Sequence, residues 1–287
     1  MYIDLHTHSY FSDGAASPQE IITEAKKGNV SILSITDHNF IADTKIIKKC
    51  SKENDIEYIE GIEISTLRRG LDFTTSLHIL GYGKKLNKNL LNRRLQKTVA
   101  GYNERALAIV KKLNKIFPKI ALDFQLLKNS CGGAYVSRNT LAKLVVAHLK
   151  KSISLRDALK EYVFVKEDDS WMMTPEESMN LIIEAGGVPV LAHSGRILRN
   201  MGIVEYEKMI VEFVKAGLSG IEVYFPKHTE AETNALRRLA SKFKLYITGG
   251  SDWHGKVYTP KIKIGVDLPR QDVVAFLNDK KIKIVGF

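Results

Sequence analysis

The chain has 287 residues, 44% hydrophobic and 26% charged, enough to bury one sizeable core or a core that carries a large insertion. No apolar run reaches the roughly 18 to 20 residues a membrane span needs, and the polar DLHTHS after the first residues excludes a secretory signal's apolar region, so a soluble, cytoplasmic protein is expected. The formal net charge of +11 sits in the middle: residues 84–165 hold 18 Lys and Arg against 4 Asp and Glu, leaving 25 against 28 elsewhere. A basic segment on a slightly acidic frame predicts that the middle faces a phosphate or polyanion, the alternative being a solvated lysine-rich helix surface.

Residues 1–83 alternate short β-like runs with helical ones: YIDL, SPQEIITEAKKG, SILSIT, IADTKIIKKCSKEN, IEYIEGIEIS and LHILGYG. Ser17 is placed to cap a helix, Pro18 suits its first turn, Glu20 completes a capping box and Gly28 stands where it should stop. Cys50 and Cys131 belong to no CxxC pattern and are expected to be free thiols without a role. Such βαβ alternation predicts an α/β fold with a parallel sheet, either a barrel or doubly wound. From Asn87 to about Phe164 the β signals thin out and helical patterns dominate, which predicts a helical insertion. After TPEESMNLIIEAGG the alternation resumes with VPVLAHS, EYEKMIVEFVKAG, GIEVYFP, EAETNALRRLASKF, LYITGGSDWHG and a final strand, KIKIV. The organisation read from this is a β/α unit of residues 1–83 and 175–287 and a basic, mainly helical insertion of residues 84–174.

Side chains on a strand alternate with period two, so His6 and His8 in DLHTHS project from one face and can reach one shared ion. His6, His8, His38, His193 and His254 follow β-like runs and His78 lies within one, while Asp13, Asp37, Glu63 and Asp252 occupy similar positions. In a parallel barrel the strand C-termini converge, which would gather these groups around one mouth. Imidazole and carboxylate donors without thiolates suit Zn, Mn or Fe, and ten such groups exceed the needs of one ion, so two or three divalent ions are expected. Sites of that kind hydrolyse phosphate esters by an activated hydroxide. Amide hydrolysis uses similar ligands and stays open on spacing alone; the basic insertion favours phosphate.

With these residues in view, the sequence resembles the polymerase and histidinol phosphatase (PHP) family of metal-dependent phosphoesterases: DLHTHSYFSDG, SITDHN, GIEIS, LHILGYG, AHSG and GGSDWHG match its motifs in order. NERALAIVKKLN, YVSRNTLAKLVV, EAGGVPVLAHSGR and GIEVYFPKHTEAE resemble the subgroup that hydrolyses nucleoside monophosphates, 3′,5′-bisphosphates or short oligonucleotides from the 5′ end. The resemblance implies a distorted seven-stranded β/α barrel, TIM-like, with a helical insertion over the metal face. It implies a first ion on His6, His8, Glu63 and Asp252, a second sharing Glu63 with His78 and His193, and a third on Asp13, His38 and His254, with Mn favoured. A metal-bridging hydroxide would attack phosphorus. The catalytic set implied is Asp13, Asp37, Asp252 and His228, with Asp37 orienting a ligand and His228 bordering substrate or moving a proton. Arg105 and Arg138 are the expected phosphate binders, because a guanidinium matches phosphate oxygens bidentately. His148 is expected to be structural.

The chain departs from the subgroup twice: His193-Ser194-Gly195 replaces histidine-proline-glycine, and Arg138-Asn139-Thr140 replaces arginine-proline-histidine. The expected substrate is a phosphorylated small molecule or short oligonucleotide, with no membrane and no obligate protein partner. The alternatives are a histidinol-phosphate phosphatase or other small phosphomonoesterase, and a non-catalytic nucleic-acid-binding module built on a structural metal cluster.

Overall fold

Helices begin where the sequence writes their caps. After β1 (Tyr2–Thr7), Ser17 accepts from the Glu20 amide and Glu20 reaches back to Ser17, opening α1 (Pro18–Lys27). The computed structural model describes residues 1–68, 77–132, 134–150, 152–165 and 169–284. β2 (Ile32–Ile35), α2 (Lys45–Glu53), β3 (Glu57–Tyr58), β4 (Glu60–Thr66) and β5 (Leu77–Gly83) follow. The helical middle holds α3 (Lys88–Ile116), α4 (Phe124–Ser130), α5 (Arg138–His148) and α6 (Leu155–Glu161), with side chains of Asn87, Asp123, Ser137 and Ser154 capping their first turns. A Thr174/Glu177 capping box opens α7 (Pro175–Glu184). Then come β6 (Val188–Leu191), α8 (Ser194–Met201), α9 (Ile203–Lys215), β7 (Gly220–Tyr224), α10 (Glu230–Phe243), β8 (Tyr246–Gly249), β9 (Val266–Asp267) and α11 (Arg270–Leu277).

The described strands form two sheets, in the orders β3-β2-β1-β9 and β4-β5-β6-β7-β8. The parallel sheet expected from sequence is corrected to a mixed one. β5 runs antiparallel to β4 and β6, and β9 antiparallel to β1, while β1-β2, β2-β3, β6-β7 and β7-β8 are parallel. The cause is local: only residues 67–76 join β4 to β5, too few for the helical crossover a parallel pair requires. Single bridges then tie the sheets together, Thr7 to Trp253 beyond β8 and His38 beyond β2 to Glu63 on β4.

Two further sequence readings are revised. IEYIEGIEIS is not one strand: β3 pairs with β2 and β4 with β5, so the chain changes sheet at Ile59. Lys281–Ile284 of the expected last strand form a turn in which Ile282 and Ile284 are buried, and Val285 lies outside the described residues. Alternating isoleucines satisfied the strand pattern by packing inward, without a partner strand.

The main core lies on both faces of the five-stranded sheet, and both sides of β1 are covered, with Ile3 and Leu5 fully buried. Each such side chain contributes about 2 kcal/mol. Leu91 and Leu95, early in α3, belong to that core, whereas Ala106, Ile109, Val110 and Leu113 join Leu141, Val145, Ala158 and Val163 in a separate cluster. One long helix therefore roots the insertion in the frame at its start and builds a second small core with α5 and α6 at its end.

Candidate metal centre

All nine side chains expected as ligands meet in one buried cluster. Glu63, on a strand buried along its whole length, is at its centre and fully buried. Its Oε2 lies 3.3 Å from His6 Nε2, 3.2 Å from His8 Nε2 and 3.1 Å from His38 Nδ1. Its Oε1 lies 2.9 Å from His78 Nδ1 and 3.2 Å from His193 Nε2. Asp252 Oδ1 stands 3.6 Å from His6 Nε2 and 3.3 Å from His8 Nε2. Asp13 Oδ1 faces His254 Nε2 at 3.0 Å, with His8 Nδ1 and His38 Nε2 each at 3.9 Å. The donor atoms fall into four overlapping groups: His8, Asp13, His38 and His254; His6, Glu63 and His193; His6, His8 and Asp252; His38, Glu63 and His78.

The backbone around the cluster is shaped to deliver these groups. His193 and Asp252 sit at φ of 40° and 55°, left-handed conformations that non-glycine residues seldom adopt and that turn both side chains inward. A Cβ on Gly250 would stand 2.3 Å from the Cβ of His6, so glycine lets the loop after β8 close onto β1.

The chemistry of the donor set fits divalent cations. Among the described residues, buried His6 Nε2, His8 Nδ1 and Nε2, Asp13 Oδ1, Glu63 Oε2 and His193 Nδ1 have no hydrogen-bond partner; their close neighbours sit side by side without hydrogen-bond angles. An unsatisfied buried polar group costs roughly 1–3 kcal/mol, and cations shared among His6, His8, Asp13 and Glu63 would satisfy one atom of each. Burial raises the pKa of Asp13, Glu63 and Asp252, yet the surrounding histidines hold all three well below the carboxylate range. Burial opposes charge on His8 too, but Asp252 and Glu63 push it up to about 10. His38 and His193, dominated by burial, fall to about 3 and about 4. Cations would displace protons from the raised imidazoles, which couples ion binding to proton release.

The remaining sequence-named residues are placed differently. Asp37 accepts from Ser9 N (2.8 Å), Ser9 Oγ (2.6 Å) and Ser12 Oγ (2.6 Å), so it staples the turn after β1 to the end of β2. His228 has both ring nitrogens engaged: Nδ1 donates to Val223 O at 2.9 Å and Nε2 accepts from Gly195 N at 3.0 Å. These two contacts make His228 a support for the first turn of α8. Arg105 is buried, paired with Asp169 and set 4.7 Å over the Trp171 ring. Arg138 is exposed on the first turn of α5. Thr140 is spent on the Ser137 cap, and His148 packs against Phe117.

Sequence reasoning missed several supporting groups. Glu222, buried on β7, accepts from His6 Nδ1 at 3.0 Å and His193 N at 2.7 Å. Asp4, buried on β1, accepts from His6 N, Ser251 N, Ser251 Oγ and Gly265 N. Asn39 pairs with Ser65, whose hydroxyl lies 3.4 Å from His38 Nδ1. The sequence offers only an acid within a short β run, as in GIEVY and YIDLHT, and the structure buries those runs on both faces. From the insertion, Asn139 Nδ2 donates to Asp13 Oδ2 at 3.2 Å and Lys143 Nζ to Asp13 O at 3.0 Å.

Comparison with known proteins follows the same lines. A 5′-3′ exoribonuclease of Haemophilus influenzae is 32% identical over 257 residues, spanning 88% of this chain and 89% of its own. A 3′,5′-nucleoside bisphosphate phosphatase of Chromobacterium violaceum is 29% identical over 260 residues, spanning 88% and 87%. The solved structure of an amidohydrolase from Chromobacterium violaceum, with bound sulfate and no metal, superposes with a TM-score of 0.77 at 27% identity over 93% of this chain and 92% of that one. The PHP domain profile matches residues 4–224, which contain seven of the nine converging side chains and every helix of the insertion, and the chain therefore belongs to the PHP domain family.

Proposed function

We propose that this PHP-family enzyme is a metal-dependent phosphoesterase acting on nucleotides: it takes phosphate from mononucleotides such as 5′-AMP or from nucleoside 3′,5′-bisphosphates, or releases nucleotides from the 5′ ends of short oligonucleotides. The observation that carries this reading is the convergence of Glu63, Asp13 and Asp252 on six histidines beside a basic helical segment. The two similar proteins named above support the substrate class.

His6, His8, Glu63 and Asp252 would hold one ion; Glu63, His78 and His193 a second; Asp13, His38 and His254 a third. Mn is favoured over Zn or Fe. Bound ions would supply hydroxide at neutral pH and neutralise charge developing on the phosphoryl oxygens. Glu63 turns one oxygen to each of two histidine groups, which suits a bridging ligand. Asp37 keeps the turn bearing Asp13 in place, and Arg138, exposed on the first turn of α5, would meet the substrate phosphate. Arg105 shapes the insertion through Asp169 and Trp171. Residues 84–174 form a basic substrate cap on a unit made of residues 1–83 and 175–287. In that unit β1, β2, β4, β5, β6, β7 and β8 make a distorted barrel, a reading supported by the Thr7–Trp253 and His38–Glu63 bridges. Among the described residues no helix is long and apolar enough to cross a membrane, and we place the enzyme in the cytoplasm.

The test is a hydrolysis panel with Mn- or Zn-loaded protein: AMP, a 3′,5′-bisphosphate, a 5′-phosphorylated oligonucleotide and histidinol phosphate. Turnover of at least one nucleotide, abolished in Asp252→Ala with the fold intact, is the expected result. Release from histidinol phosphate alone would replace the nucleotide reading, and release from none would leave a binding module.

A further inference from the structure

Asp13 differs from the other converging carboxylates in where its support comes from. Its Oδ1 points at His254, His8 and His38 and has no hydrogen-bond partner, while its Oδ2 receives the Asn139 side chain from the first turn of α5. Only the NH2 end of an asparagine can face a carboxylate, so this contact fixes which oxygen turns toward the histidines. One turn further along the same helix face, Lys143 Nζ donates to the Asp13 carbonyl and lies 3.5 Å from the centre of the Tyr258 ring. Tyr258 stands in the loop that begins at His254, with its amide bonded to Gly255 O. A single helix of the insertion thus grips both chain segments that bring Asp13 and His254 together.

We propose that Asn139 and Lys143 are positioning residues through which the insertion sets the geometry, and so the affinity, of the divalent-cation position formed by Asp13, His38 and His254. The proposal rests on the reading of Asp13 as a metal ligand. It also makes the insertion part of the cation site as well as a cover for substrate.

The experiment is calorimetric titration of chelator-stripped full-length protein with Mn2+, counting equivalents and their affinities, with far-UV circular dichroism on every variant. Asp13→Ala is the reference and is expected to lose one equivalent. Asn139→Ala is expected to weaken one equivalent about 10- to 100-fold and leave the others unchanged, the range typical for groups that orient a ligand. Asn139→Asp, which keeps the shape and sets a like charge against Oδ2, is expected to weaken it further. Lys143→Met should lower the same affinity and Lys143→Arg, which keeps a donor cation, should restore it. If Asp13→Ala loses an equivalent while folded Asn139→Ala, Asn139→Asp and Lys143→Met bind every equivalent as the parent does, the positioning role is wrong. If Asp13→Ala itself keeps every equivalent, the ligand reading of Asp13 is wrong and the proposal falls with it.

Discussion

At Glu222, a strand that otherwise presents Gly220, Ile221, Val223 and Tyr224 carries a carboxylate with both oxygens engaged, one by the His6 ring and the other by the His193 amide. Because a carboxylate only accepts, His6 must carry its proton on Nδ1, which leaves the Nε2 lone pair for the cluster. Glu222→Gln keeps the volume but turns an NH2 toward one of the two donors. The expected outcome is a folded enzyme whose kcat falls about 10- to 100-fold with KM little changed, since the loss is in ligand orientation. Steady-state kinetics at saturating metal check this, and an unchanged kcat would remove Glu222 from the machinery. Individual donors such as His6, His8, His38 and Asp252 were legible because imidazoles and acids at strand ends have few structural reasons to recur. Glu222 and Asp4 were not, since a single acid in a short β run reads equally well as the solvent face of an alternating strand.

Among the elements, the capped helices were the most legible, because a box such as Ser17-Pro18-Glu20 satisfies backbone donors within four residues. Strand pairing was less so, for it depends on partners far away in the chain. The change of sheet at Ile59 leaves no local signature, the antiparallel β5 is signalled only by the short connection before it, and β9 is two residues long. α8 was missed because its start, at His193 in a left-handed turn, carries no side-chain cap. The insertion's own apolar cluster makes a prediction at this scale. Leu141, on α5, is fully buried in the cluster it forms with α3 and α6, so Leu141→Ala should cost about 3 kcal/mol. Amide hydrogen exchange should speed up over α4 to α6 while β1 and β2 stay protected, as expected of a unit that opens locally. Uniform acceleration across the chain would instead make the insertion and frame one cooperative block.

Across the whole molecule, frame and insertion are joined at Glu60, where β4 meets the start of α3. Its buried carboxylate accepts from Thr44 Oγ1 at 2.6 Å, Lys48 Nζ at 2.7 Å, Lys88 Nζ at 2.8 Å and the Leu86 amide at 2.7 Å. These donors come from both sides of the junction, from α2 and its cap on one and the β5-to-α3 connection on the other. Burial alone would raise the pKa of Glu60, but the Lys48, Lys88, Thr44 and Leu86 donors outweigh it and hold the group below its ordinary value of 4.5. A carboxylate whose pKa is depressed on folding binds its proton more readily when unfolded. Its stabilising contribution is therefore complete above the unfolded value and disappears as pH falls through the folded one. Glu60→Gln, which cannot satisfy four donors, should lower stability by about 2 kcal/mol at neutral pH. The gap in urea midpoint between parent and variant should stay constant from about pH 8 to pH 6 and narrow below about pH 4.5. Comparing the two proteins cancels the acid sensitivity that Asp13, Glu63 and Asp252 contribute to both, so a gap that persists undiminished into acid would show that Glu60 holds the junction by shape and not by charge.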